Sequence, residues 1–110
     1  MQGFEVDATS ARLAAAGGGY EVVHESPGLE IGVYILLAPA PDRQTPHAFD
    51  EVYVVLEGEG DLEVEGESRR VVKGEAVFVA AHDDHRFSSY EKLVLLVVFN
   101  GPHTASKAQA

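Results

Sequence analysis

From residue 20 to residue 100 the chain is a succession of short apolar β-type runs, each cut off by turn-forming residues. This punctuation limits the fold more than any other feature. Val, Ile, Leu and aromatic side chains suit a pleated, half-buried surface, whereas Gly, Pro, Asp and Asn interrupt it. The runs fall at 20–24, 29–37, 51–57, 61–64, 68–72, 76–79, 85–88 and 93–100. Glu25-Ser26-Pro27-Gly28, Gly58-Glu59-Gly60, Glu65-Gly66-Glu67 and Lys73-Gly74-Glu75 supply the turns between them. Pro39, Pro41 and Pro46 remove backbone donors, so residues 39–46 are neither helix nor central strand. Eight short strands in so small a chain predict an antiparallel sandwich or barrel.

Two segments add detail. Asp7 is placed to cap a short helix over 8–16, which Gly17-Gly18-Gly19 would end. Its Ala-rich sequence has little to bury beyond Leu13, so it is expected either to pack outside the β-structure or to form a frayed arm. Residues 93–99, LVLLVVF, are apolar on both faces, which predicts a central position or a subunit interface.

With 110 residues, 45% of them hydrophobic, the chain is read as one globular domain. Its expected parts are an arm with a short helix (1–19), a barrel (20–100) and a loose tail (101–110). No apolar run reaches the roughly 18 residues needed to span a bilayer. The N-terminal residues lack a basic start followed by an apolar stretch, which makes cytoplasmic residence the expectation. Eighteen acidic residues against 8 basic ones give a net charge of −10, a surface that repels phosphate backbones and anionic lipid. Nucleic-acid and membrane partners are therefore not expected. The absence of cysteine excludes thiolate nucleophiles, disulfides and cysteine-ligated metals.

Chemistry-bearing residues concentrate in two places. In QTPHAFDEVYVVLEGEG, residues 44–60, His47 and Glu51 stand directly ahead of a strongly apolar run. On a straight strand their Cα atoms would lie roughly 13 Å apart. Two groups that bind one ion at about 2.0–2.2 Å must come far closer, so joint ligation requires a bend at Ala48-Phe49-Asp50. A surface turn with both side chains in water is the competing reading of the same spacing. The second place is His82-Asp83-Asp84-His85, which reads as a loop leading into a strand. His24 and His103 read as solvated side chains. By strand parity Tyr53 and Val55 share a face with Glu51, and Phe87 shares one with His85.

These two stretches resemble the paired motifs of the cupin family. His47, Glu51 and Gly58 match the second histidine, the glutamate and the closing glycine of the first motif, G-x5-H-x-H-x3-4-E-x6-G. Gly74 and His85 match the first glycine and the histidine of the second, G-x5-P-x-G-x2-H-x3-N. The chain departs from the pattern at Pro39, Thr45, Ala80, His82 and Ser89, and Thr45 stands where the first histidine belongs. The resemblance implies a double-stranded β-helix, or jelly-roll barrel, with a divalent metal ion (Fe, Mn, Zn or Ni) held by His47, Glu51 and His85. Two imidazoles and one carboxylate with open positions suit non-heme iron and catalytic zinc alike. Gln44, Thr45, Tyr53 and Phe87 are the expected substrate-cavity residues; His82 reads first as a solvent-exposed loop histidine, with an acid–base role near the mouth as the alternative. The implied function is a metalloenzyme acting on a small oxygenated or aromatic metabolite, by dioxygenation, isomerisation or hydrolysis. The alternatives are a non-catalytic sensing module that keeps the metal and a metal-free small-ligand binder. A homodimer formed through edge strands or the apolar C-terminal strand is also expected.

Overall fold

A computed structural model describes residues 1–102, in the order α1 (Val6–Ala15), β1 (Gly19–Ser26), β2 (Leu29–Leu37), β3 (Glu51–Val64), β4 (Glu67–Val72), β5 (Ala76–Val79), β6 (His85–Ser88) and β7 (Lys92–Phe99). Every strand pairing is antiparallel. One sheet runs β1-β2-β7-β3-β5, and the second is formed by β4, β3 and β6. The fold is the antiparallel double-stranded β-helix that the resemblance implies.

The long β3 links the two sheets. Residues 51–58 pair with β7 and 51–54 with β5, whereas residues 59–64 pair with β4 and 61–64 with β6. The expected turn at Gly58-Glu59-Gly60 is therefore not a turn. A bulge between Val55 and Glu57 bends a continuous strand from one sheet into the other. Gly58 has φ +86, and a Cβ there would come 1.9 Å from the Lys92 carbonyl oxygen. The glycine marks a close backbone approach and a bend, which have the same composition as a turn.

Leu93, Leu95, Val97 and Phe99 of β7 face inward and join Tyr53, Val55, Leu62, Val71, Val79 and Phe87 in the core. The outer face is also apolar because α1 covers part of it. Val6, Leu13 and Ala14 of the helix pack with Val33, Ile35 and Val94. With β2 and β3 on its two edges, β7 is central. Of the two placements expected for this run, the central one is found. The helix starts two residues before the expected position: Glu5 takes the N-cap place without a side-chain bond, and Asp7 lies in the first turn. There its carboxylate favours the helix dipole without capping it. The C-terminus ends in a Schellman arrangement, in which Gly18 N–H donates to Leu13 O at 2.8 Å and Gly17 N–H to Ala14 O at 3.1 Å. The expected tail falls largely outside the described residues.

Candidate metal centre

The connection from β2 to β3, residues 38–50, has no regular structure and is held by side chains. Asp42 is buried at 6% exposure, and its carboxylate accepts four hydrogen bonds. Oδ1 receives the Tyr34 hydroxyl at 2.6 Å and the Gln44 N–H at 3.3 Å. Oδ2 receives Gln44 Nε2 at 2.6 Å and the Phe87 N–H at 2.9 Å. A buried charge is tolerated when it is satisfied in this way. Downstream the chain bends at Ala48 and Phe49, where joint ligation by His47 and Glu51 requires it. The His82 N–H donates to the His47 carbonyl at 2.7 Å, and the Ala81 N–H to Asp50 Oδ1 at 2.8 Å. These bonds tie the loop carrying His47 to the loop that precedes His85.

The three side chains converge from these loops and strand starts. Glu51 opens β3 and His85 opens β6, both facing the barrel interior, with His47 beside them. One ligand atom from each of His47, Glu51 and His85 lies within 4.8 Å of the other two. The His47 ring meets the Phe99 ring edge-on at 5.1 Å and the His85 ring at 5.5 Å. His85 Nδ1 lies 2.8 Å from the Asp83 carbonyl oxygen, which only accepts, so Nδ1 carries the hydrogen. In the neutral ring the lone pair is then on Nε2, the atom facing the cluster. His85 Nε2 comes within 2.7 Å of Glu51 Oε1 without the alignment of a hydrogen bond, and neither Glu51 oxygen has a hydrogen-bond partner among the described residues.

Glu51 is 1% exposed. Two buried carboxylate oxygens without donors are costly unless a cation neutralises them, so the donor set fits a divalent ion. Burial disfavours the charged His85 ring, but contact with Glu51 and the Asp83 carbonyl outweighs it, and the pKa is raised. The Tyr53 hydroxyl donates to Gln44 Oε1 at 2.8 Å and also lies 3.0 Å from His85 Nε2. Burial, then the charge of Glu51, pushes this phenol well above its ordinary pKa and keeps it protonated. Gln44 Oε1 is also 3.4 Å from His47 Nε2, which places a neutral oxygen acceptor on the border of the cluster.

A cavity of about 360 Å³ opens beside these residues, a size that suits a small molecule. His47, Glu51, Tyr53 and Gln44 line it, with Tyr20, Tyr34, Arg43 and Phe99. Two expected cavity residues are not on its wall. Thr45 is exposed, whereas Asp42 draws the neighbouring Gln44 side chain inward. Phe87 is buried against Tyr53, ring on ring at 4.8 Å, and supports it from the core. Val55 belongs to the core. His82 is exposed and does not line the cavity. His24, expected to be solvated, bonds Gln2 and Ser26 at 3.1 Å each. His103 lies outside the described residues.

Asp42, Tyr20, Tyr34 and Glu30 did not emerge from the sequence as site residues. One signal was present, the glycine inside the β2 run. A Cβ at Gly32 would lie 2.2 Å from the Tyr20 ring, which crosses that position to donate its hydroxyl to the buried Glu30 at 2.7 Å. Burial and these hydrogen bonds raise the pKa of Tyr20 beside Glu30, and that of Tyr34 beside Asp42.

Comparison with known proteins places the chain among relatives. A protein of Streptomyces coelicolor, itself uncharacterised, is 37% identical over 105 residues, which cover 94% of this chain and all of that one. The crystal structure of TT1209 from Thermus thermophilus superposes with a TM-score of 0.71 at 25% identity, covering 91% of this chain and 98% of that one. The DMSP lyase DddQ from Ruegeria pomeroyi gives a TM-score of 0.69 at 25% identity over 76% of this chain. The alignment spans only 47% of the lyase's length. The Cupin domain family profile matches residues 33–99, a stretch that contains the bend, the long β3 and all three converging side chains. The chain therefore belongs to the cupin family.

Proposed function

We propose that His47, Glu51 and His85 hold a divalent metal ion and that the protein is a metal-dependent enzyme acting on a small oxygenated metabolite. One observation carries this reading: Glu51 is buried with both oxygens lacking hydrogen bonds, facing an imidazole nitrogen whose tautomer is set by a backbone carbonyl. Held bonds behind metal-binding histidines are a common device for orienting them. Gln44 Oε1 stands next to the cluster as a further neutral oxygen ligand, where the family motif places a histidine one residue later.

A bound divalent ion would polarise a substrate oxygen or water as a Lewis acid, and with iron it would support oxygen chemistry. The protein's own contributions are positional. Phe99 and Tyr53 form a water-poor wall. The Tyr53 hydroxyl, 3.0 Å from His85 Nε2 with its proton given to Gln44 Oε1, is placed to accept a hydrogen bond from a hydroxyl brought to the cluster. A barrel of this fold houses catalysis in the DddQ lyase.

Metal content of protein purified without a histidine tag tests the reading, after reconstitution with Fe(II), Mn(II), Ni(II) and Zn(II). Wild type should retain about one ion per chain, whereas His47→Ala and His85→Ala should retain at most a small fraction. Equal, low metal in all three proteins refutes the metal site. Oxygen uptake and product analysis with enediols and catechols then test turnover; inactivity across a broad panel of the metal-loaded protein favours the sensing role.

We also propose a homodimer. Ile31, Val98, Val52 and Phe78 align across four strands on the outer face, and Phe78 is 61% exposed. Phe78 lies on β5, which pairs only with β3 among the described strands. A second copy could extend the sheet about a two-fold axis while covering this row. Light scattering on wild type and Phe78→Asp tests it: a monomeric wild type refutes the dimer, and a dimeric variant refutes this interface.

A further inference from the structure

We propose that Arg43 is the anion anchor of the cavity and that the ligand class is a small hydroxycarboxylate. This rests on the cavity being the ligand site described above, and it adds the ligand's charge and the residue that reads it. Among the described cations, Arg12 pairs with Glu21, Arg69 with Glu75, Arg70 with Glu59 and Asp61, and Lys92 with Glu57. Arg43, Lys73 and Arg86 have no ion-pair or hydrogen-bond partner among the described residues, and of these three Arg43 lines the cavity.

Its isolation follows from its neighbour. Asp42 would be the natural counter-ion, but that carboxylate already accepts four hydrogen bonds, from Tyr34, Phe87 and twice from Gln44. The same bonds fix the backbone on both sides of Arg43, so the guanidinium starts from a clamped position at the cavity rim. Among the described residues lining this cavity it is the only Lys or Arg, in a chain of net charge −10. A lone guanidinium beside an apolar cavity favours a planar, bidentate anion such as carboxylate.

The wall adds a second requirement. Tyr20 donates its proton to Glu30 and Tyr34 donates its proton to Asp42, and both residues line the cavity. A phenol whose proton is committed offers an incoming group only lone pairs. Such a wall favours ligands that bring their own donors, which hydroxyl groups do. A carboxylate toward Arg43 and hydroxyls along the phenols together define the proposed class.

The test is titration of the whole 110-residue chain, metal-free and Zn(II)-loaded, with glycolate, 3-hydroxypropionate and 4-hydroxybutyrate. The uncharged diols of matching length (ethylene glycol, 1,3-propanediol and 1,4-butanediol) serve as controls. Binding is followed by amide chemical shifts of cavity residues, with zinc content measured in parallel. At least one acid should bind about five- to tenfold more tightly than its diol, as a charge-assisted contact at a partly exposed site allows. Arg43→Gln should bring that ratio close to one without changing zinc content, and Arg43→Lys should keep part of it. No saturable binding of any acid overturns the proposal, as does an acid preference that survives Arg43→Gln. If zinc fails to load while the metal-free protein shows the Arg43-dependent preference, the metal reading falls and the anion anchor stands.

Discussion

Two carboxylates sit within the same barrel and are treated in opposite ways. Asp42 and Glu51 are 6% and 1% exposed, yet Asp42 accepts four hydrogen bonds and Glu51 none. Burial alone therefore does not identify a functional acid. A satisfied carboxylate is part of the fold, because its hydrogen bonds replace the water it lost. An unsatisfied one places a cost on the fold that another ligand must offset.

The comparison can be broken most forcefully by removing each carboxylate in turn. Asp42→Ala leaves the Tyr34 hydroxyl, the Gln44 amide and the Phe87 N–H without their acceptor. Denaturant unfolding should show a loss of about 3–5 kcal/mol. Glu51→Gln in metal-free protein should cost clearly less, because that carboxylate accepts no aligned hydrogen bond and loses only its 2.7 Å contact with His85. The same substitution should weaken metal binding by at least about a hundredfold. If Glu51→Gln destabilises the metal-free protein as Asp42→Ala does, Glu51 is a structural group.

Gln44 stands between the two carboxylates and sharpens the contrast. Its amide nitrogen serves Asp42 and its carbonyl oxygen faces Tyr53 and His47. Gln44→Ala should lower metal affinity about tenfold, an effect of the size seen when supporting groups around a metal are lost. The Asp42-side loss should appear separately as reduced stability. An unchanged metal affinity would show that Gln44 serves only the loop.

Much of this arrangement was legible from residue types, and the remainder depended on contacts. Glu51, Tyr53 and Val55 could be placed on one inner face because a strand alternates strictly, and the bend at Ala48 and Phe49 followed from the reach of two ligands. Gly58 and Gly60 were misread because a glycine that bends a strand and one that turns it look alike in one dimension. Asp42 gave no signal, since a loop aspartate between Pro41 and Arg43 is ordinary until Tyr34, Gln44 and Phe87 are brought to it. The helix boundary moved for a smaller reason. The Thr9 N–H finds the Glu5 carbonyl at 3.0 Å, which starts the ladder before Asp7 can cap it.

The phenols on the satisfied side make a pH-dependent prediction. Tyr34 is held above the ordinary phenol pKa of 10.0 by burial and by Asp42, and Tyr20 by burial and by Glu30. A raised folded-state pKa means that the unfolded chain ionises first. The stabilisation is therefore complete below pH 10 and lost as pH climbs above it. Phenolate absorbance, easily followed in a chain without tryptophan, should rise together with unfolding and not before it. Tyr34→Phe should reduce the alkaline slope at a cost of about 1 kcal/mol near neutrality, the worth of one hydrogen bond. Reversible phenolate formation by all four tyrosines near pH 10 in folded protein would show that the phenols are not held.

The smallest expected effect separates the family's motif from this chain's own geometry. Restoring the motif with Thr45→His would be expected to complete the metal shell if position 45 faced the cluster. Thr45 is exposed instead and does not line the cavity. The inward place is held by Gln44, anchored through both its backbone N–H and its side chain to a buried carboxylate. Turning residue 45 inward would require breaking those bonds to Asp42, which costs more than one added ligand returns. Metal affinity of Thr45→His should therefore stay within about twofold of wild type. A clear gain in affinity would mean that the Asp42–Gln44 clamp yields readily, and that the contrast between the two carboxylates is less firm than their hydrogen bonding indicates.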